Sequence, residues 1–178
     1  MIWINRLLRR WQDWHQTSDD PIHQEMLLLH DRLVDRTLDL TSNGVLDLPD
    51  DFSLRFEVLV FLVAVALHHF RQHVASNPLH QQRAQQLWEI TFEGFDHGLR
   101  QKGVSDIRMS ARMHKLLQQA TGRRNAYLTA LEQGDELLLR QAISRNILNQ
   151  PDAVTVVDPR VERLLERLHT LTQELAHE

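Results

Sequence analysis

Apolar residues recur at three- and four-residue spacing along most of this chain, the repeat of a helix that buries one face. After Asp19-Asp20-Pro21, the residues Met26, Leu29, Leu33, Thr37 and Leu40 keep that spacing as far as Ser42-Asn43-Gly44. An acid followed by proline suits a helix start, and Asn-Gly suits a stop. The stretch "LDLPDD" (46–51) reads as a loop. A helix over about 53–75 comes next and breaks the amphipathic rule, because Val58 to Leu67 is ten apolar residues without interruption. A helix that is apolar all round belongs at the centre of a bundle. A bilayer-spanning helix needs roughly twenty such residues, so the run predicts a core helix.

Asn77-Pro78 ends that helix. The next is expected over 79–102, where a glutamine-rich half gives way to Trp88, Phe92, Phe95 and Leu99 on one face. Another starts after Ser105-Asp106 and runs to Gln133, with Gly122 inside it. Gly134-Asp135 marks a turn, and a helix over 136–148 buries Leu139, Ile143 and Ile147. Pro151 opens a loop, and Asp158-Pro159 starts the last helix. There Val161, Leu164, Leu168, Leu171 and Leu175 alternate in spacing like a coiled-coil seam. The seam is too short to stand alone, so it predicts packing back onto the domain, with a partner-helix surface as the alternative. Only "AVTVVD" (153–158) favours a strand, and it is too isolated to build a sheet. The pattern predicts an all-α, single-domain bundle of about six to seven helices. Its parts are a basic amphipathic segment (1–18), a helical core (19–150) and a loop with a C-terminal amphipathic helix (151–178).

Three glycines crowd the segment "GFDHGLRQKGVSD" (94–106). Each glycine inside a helix costs about 1 kcal/mol relative to alanine. Gly103 suits a left-handed helix end, with Val104 folding back towards Leu99 and Ser105 or Asp106 capping the next helix. Gly94 and Gly98 share a face with Leu87 and Thr91. The expectation is that they admit a close neighbour, the 58–67 run. Asp96 and Arg100 complete this corner, Asp96 as a structural residue and Arg100 in a mixed structural and partner-binding role.

Composition narrows the function. The 178 residues carry a net charge of −4 and no cysteine, which removes disulfides, cysteine metal sites and thiol catalysis. No Gly-x-Ser-x-Gly, GxGxxG, HExxH or phosphate-cradling loop is present, so nothing points to catalysis. Histidine is enriched, with eleven copies. His69 and His73 are one helical turn apart and next to His68, but two ligands do not make a metal site. No metal and no cofactor is expected.

Charge is uneven. The segment 107–131 holds Arg108, Arg112, Lys115, Arg123 and Arg124 and no acid. With Tyr127, these residues are candidates for binding an anionic partner. The alternative is a solvated face whose acids come from neighbouring helices. In residues 2–16, Trp3, Leu7, Trp11 and Trp14 share a face, and Arg6, Arg9 and Arg10 lie off it. Such a segment suits contact with an anionic membrane surface, or docking on the domain by its tryptophans. It lacks the apolar core of a secretory signal, and three tryptophans suit a mitochondrial presequence poorly.

An ordered set of residues resembles the ubiquinol–cytochrome c chaperone family, the bacterial relatives of the mitochondrial assembly factors for cytochrome b. It runs through Arg55-Phe56-Glu57 ahead of the apolar helix, then Phe92, Asp96, Leu99, Arg100, Gly103, Val104 and Asp106. It continues with Arg112, Lys115, Gly122-Arg123, Ala126-Tyr127, Ala130-Leu131, Ala142 and Arg145-Asn146. The resemblance covers roughly residues 24–148. Ser105 stands where the family usually has a second glycine, Ala120-Thr121 where it has Phe-Tyr, and His114 where it often has a base.

The resemblance implies a non-enzymatic assembly chaperone that binds newly made cytochrome b and promotes assembly of the bc1 complex. Its implied place is the cytoplasmic face of a bacterial inner membrane, or the matrix side in a mitochondrion, with the ribosomal tunnel exit and the membrane surface as further contacts. No DNA and no small-molecule substrate are implied. The alternative reading is a ribosome- or RNA-associated, or peripheral-membrane, binding module that uses the basic 107–131 helix.

Overall fold

The computed structural model describes residues 20–42, 44–101, 106–150 and 158–177, with side chains for all of these except 96–101 and 106–110. The 1–18 segment, with its tryptophan and arginine face, lies outside the described residues, as does most of "AVTVVD". Among the described residues there are six helices and no strand. They are α1 (Pro21–Ser42), α2 (Phe52–Gln72), α3 (Leu79–Gln101), α4 (Asp106–Gln133), α5 (Glu136–Asn146) and α6 (Pro159–Ala176).

Helix boundaries follow local chemistry. The Asp20 carboxylate accepts from the Ile22 amide at 3.0 Å and opens α1. Asp51, Asp135 and Asp158 do the same for α2, α5 and α6, each satisfying an amide that a helix start leaves without a partner. Gly134 has φ +62° at the end of α4. Its amide reaches the Leu131 carbonyl at 3.2 Å, and the Asp135 amide reaches Ala130 at 3.0 Å. That double closure needs a left-handed residue, which is why glycine stands there. Two helices end short of the sequence expectation: α2 at Gln72, with turns over 73–76, and α5 at Asn146.

Helix α2 is the axis of the bundle, in contact with α1, α3, α4 and α6. Every residue from Val58 to Leu67 is buried, as an all-round apolar helix requires. Each large side chain among them contributes roughly 1.5–3 kcal/mol by leaving water. Among the described residues, α2 alone has the length and apolar content of a membrane span, yet 78% of its most apolar window is buried inside the bundle. The C-terminal helix packs back on the domain: Val161, Leu164, Leu171 and Leu175 are buried. Arg36 pairs with Glu174, Arg140 with Glu162, and Arg167 approaches Asp39 at 3.6 Å.

Candidate functional site

The triplet Arg55-Phe56-Glu57, at the start of α2, points in three directions. Arg55 makes a bidentate pair with Asp50 in the preceding loop, both contacts at 2.7 Å. That guanidinium holds the Asp50 carboxyl at about 2. Phe56 meets Phe95 of α3 with ring centroids 5.1 Å apart. Glu57 accepts from Arg123 of α4 at 2.5 Å on both oxygens. Three consecutive residues thus fix the entry loop, α3 and α4 around one end of the central helix.

Glu57 is only 7% exposed, and Arg123 is half-buried. Burial pushes the Glu57 carboxyl above its ordinary range, although the Arg123 hydrogen bond and charge pull the other way. Beside the pair, Tyr127 is fully buried, 5.2 Å edge-on from Phe61. Burial pushes its phenol far up, and Asn146 of α5 lies next to the hydroxyl. Neither the hydroxyl nor the Asn146 Nδ2 finds a well-formed hydrogen bond. Glu57, Arg123, Tyr127 and Asn146 therefore gather into one largely buried polar knot where α2, α4 and α5 meet.

Several sequence expectations change here. Arg123 is not a free cation, because Glu57 occupies it. Arg124 lies over the Trp88 ring at 4.3 Å, donates to Asn125 and is half-buried. Desolvation lowers its pKa. Tyr127 does not reach the surface at all. Periodicity placed all three on an acid-free helix, but the acid that balances Arg123 comes from α2. Gly94 does not face the 58–67 run. It is an exposed position whose Cβ, if present, would stand 3.3 Å from the His30 ring on α1. Gly98 and the side chains of Asp96, Leu99, Arg100, Asp106 and Arg108 lie outside what is described, as do Gly103 and Val104.

What remains on α4 is an outward stripe. Arg112, Lys115, Gln118, Gly122, Asn125 and Thr129 are all exposed and repeat at helical spacing. The stripe carries two cations and no acid. Met113, Leu116 and Leu117 sit half-buried beside it, packed against the core. A Cβ on Gly122 would meet nothing within 4 Å among the described residues.

The model of the ubiquinol–cytochrome C chaperone family matches residues 45–176. The chain belongs to this chaperone family. The match starts in the loop before α2, so it omits α1, and it extends through α6, beyond the 24–148 range legible in the sequence. The crystal structure of the Cbp3 homolog from Brucella abortus aligns with a TM-score of 0.65 at 26% identity, over 96% of this chain and 88% of that one. No curated protein gives a match. Within the chaperone family range, the residues of the buried knot (Glu57, Arg123, Tyr127, Asn146) come from three separate sequence segments. Their meeting in space turns a scattered signature into one structural unit.

Proposed function

We propose that the protein is a non-enzymatic assembly chaperone that binds newly made cytochrome b and promotes formation of the bc1 complex. Family membership carries this reading. The exposed stripe of α4 supports a binding role, because among the described residues its Arg112 and Lys115 share that stripe with no acid while Arg123 and Arg124 are used internally. The Glu57–Arg123 pair ties α4 to the central helix that carries the core. The client is a membrane protein, which favours work at the cytoplasmic face of the inner membrane in a bacterial host.

Deleting the gene should lower spectroscopically detected bc1 complex while the cytochrome b transcript stays constant. The tagged protein should co-purify with cytochrome b that has not yet been assembled. Unchanged bc1 levels in the deletion strain would sink the reading. The ribosome-associated alternative is separated by salt: phosphate contacts release counterions and lose affinity steeply between low and moderate salt. Sedimentation with ribosomes that is steeply salt-dependent, without recovery of cytochrome b, would favour it.

A further inference from the structure

Helix α1 packs on α2 and α3. Its arginines, Arg32 and Arg36, line a cleft against α6 together with Leu171 and Glu174. The side that remains carries Gln24, Leu28, Asp31, Asp35 and Leu38, all exposed. Their spacing alternates between four and three residues, the seam along which one helix receives another. Leu28, at 66%, is the most exposed large apolar side chain among the described residues.

Asp31 and Asp35 stand one turn apart in this seam. The Asp31 side chain is 77% exposed, with the His30 ring 3.9 Å away. Burial lowers the pKa of that ring, so it is a weak counter-charge. Among the described residues neither acid forms an ion pair with an arginine or lysine.

The segment that leads into α1 has the complementary pattern. Trp3, Leu7, Trp11 and Trp14 repeat at four- and three-residue spacing, with Arg6 and Arg10 one turn apart beside them. Residues 17–20 connect this segment to α1, and connections of about two to eight residues join antiparallel neighbours in helical bundles. Asp20 accepts from Gln86 of α3 at 2.9 Å, which anchors the point where the connection meets α1. Counted outward from residues 18 and 19, Arg6 is level with Asp31, and Trp11 with Met26, next to the turn that holds Leu28. An anionic membrane surface at this place would set lipid phosphates beside Asp31 and Asp35, like charge against like.

We propose that residues 2–16 fold back along α1, seating tryptophans against Leu28 and arginines against Asp31 and Asp35. The tryptophans supply the buried area, about 150–250 Å² each. The charge pairs select this face over others. The segment and α1 both precede the matched range, 45–176, and the contact is independent of client binding.

Acrylamide quenching of tryptophan in the full chain, without lipid, tests the contact. The native segment is expected to shield its tryptophans. Trp88, the remaining one, is half-buried on α3 and gives a constant background. Asp31→Arg with Asp35→Arg sets arginine against arginine and should raise quenching and shift emission to the red. Its melting temperature should stay close to native, because exposed positions tolerate substitution. Adding Arg6→Asp and Arg10→Asp to that variant should restore the shielding with the signs exchanged. Equal quenching in the native chain and the Asp31/Asp35 reversal overturns the contact. Shielding that appears only with phosphatidylglycerol vesicles overturns it in favour of a membrane surface, and shielding lost on dilution overturns it in favour of a second copy. If the reversal fails to fold, Arg6→Asp with Arg10→Asp in an otherwise native chain alters no described residue: it should raise quenching, and unchanged quenching there overturns the contact.

Discussion

Arg123 of α4 donates its Nε–H to both oxygens of Glu57 of α2 at 2.5 Å, across 66 residues of sequence. The carboxylate end is the more buried, with 9% of the Glu57 side chain exposed against 28% for Arg123. Removing one partner of such a pair leaves an uncompensated charge and costs about 3–5 kcal/mol, whereas replacing both by apolar groups is often neutral. Arg123→Met should therefore lower the melting temperature sharply, and Arg123→Met with Glu57→Leu should recover most of the loss. Because burial already raises the Glu57 pKa, protonation relieves the Arg123→Met variant. Its deficit should shrink as pH falls towards 4.5, the ordinary value for this carboxyl. A deficit that is constant with pH and persists in the double variant would mean that the charges are not the cause.

Tyr127 separates packing from polarity in the same knot. Its ring fills the space beside Phe61, but its hydroxyl lacks a well-formed hydrogen bond. Removing the ring should cost about 3–5 kcal/mol, as for other large-to-small core changes. Removing only the hydroxyl should cost little, under about 1 kcal/mol. Denaturant melts of Tyr127→Ala and Tyr127→Phe give the two numbers. Equal losses would show that the hydroxyl is held by a strong partner, such as a buried water shared with Asn146.

The helices were legible because their stops and starts rest on local chemistry: Asp51, Asp135, Asp158-Pro159 and Gly134 act on amides and carbonyls within a few residues. The central place of α2 was legible too, since ten apolar residues have no polar face to turn to water. What stayed open or was missed shares a physical cause. Arg123 kept two readings in the sequence, a free cation or one balanced by a neighbouring helix, because its acid lies 66 residues upstream, and Tyr127 was a partner-binding candidate because a polar atom says nothing about the depth of the ring. His80 was missed because a turn, not a helix repeat, carries its ring to within 6.2 Å of those of His69 and His73. Spacing reports neighbours along one helix, and these partners come from others.

Glycine gives a further contrast within the long helices. A Cβ at Gly122 meets nothing, while one at Gly94 stands 3.3 Å from the His30 ring. Replacing an exposed helix glycine by alanine gains about 0.5–1 kcal/mol when nothing opposes it. Gly122→Ala should stabilise the protein by that amount, read as a higher melting temperature. Gly94→Ala should gain less, because the buried His30 ring has to shift. If Gly122 is kept for a partner that packs closely on α4, the more stable Gly122→Ala protein should assemble less bc1 complex. Higher stability with undiminished assembly would remove Gly122 from the binding face.

The last prediction sets the exposed cations of α4 against the half-buried one that pairs with Glu57. Arg112 and Lys115 are exposed on the acid-free stripe, so reversing them should alter an encounter without touching the core. Surface substitutions away from special features usually stay within about 0.5 kcal/mol. Arg112→Glu with Lys115→Glu should melt like the native protein and fail to recover cytochrome b in a pull-down. The loss should resemble that of native protein in high salt, because rim charges govern approach and salt dependence. Arg123→Glu should behave in the opposite order: it sets a second carboxylate against buried Glu57, so folding is lost first and binding only as a consequence. Measuring melting and recovery together on both variants distinguishes a binding cation from a structural one. If the double reversal keeps full recovery of cytochrome b, the client does not use this stripe, and the search moves to another face of the bundle.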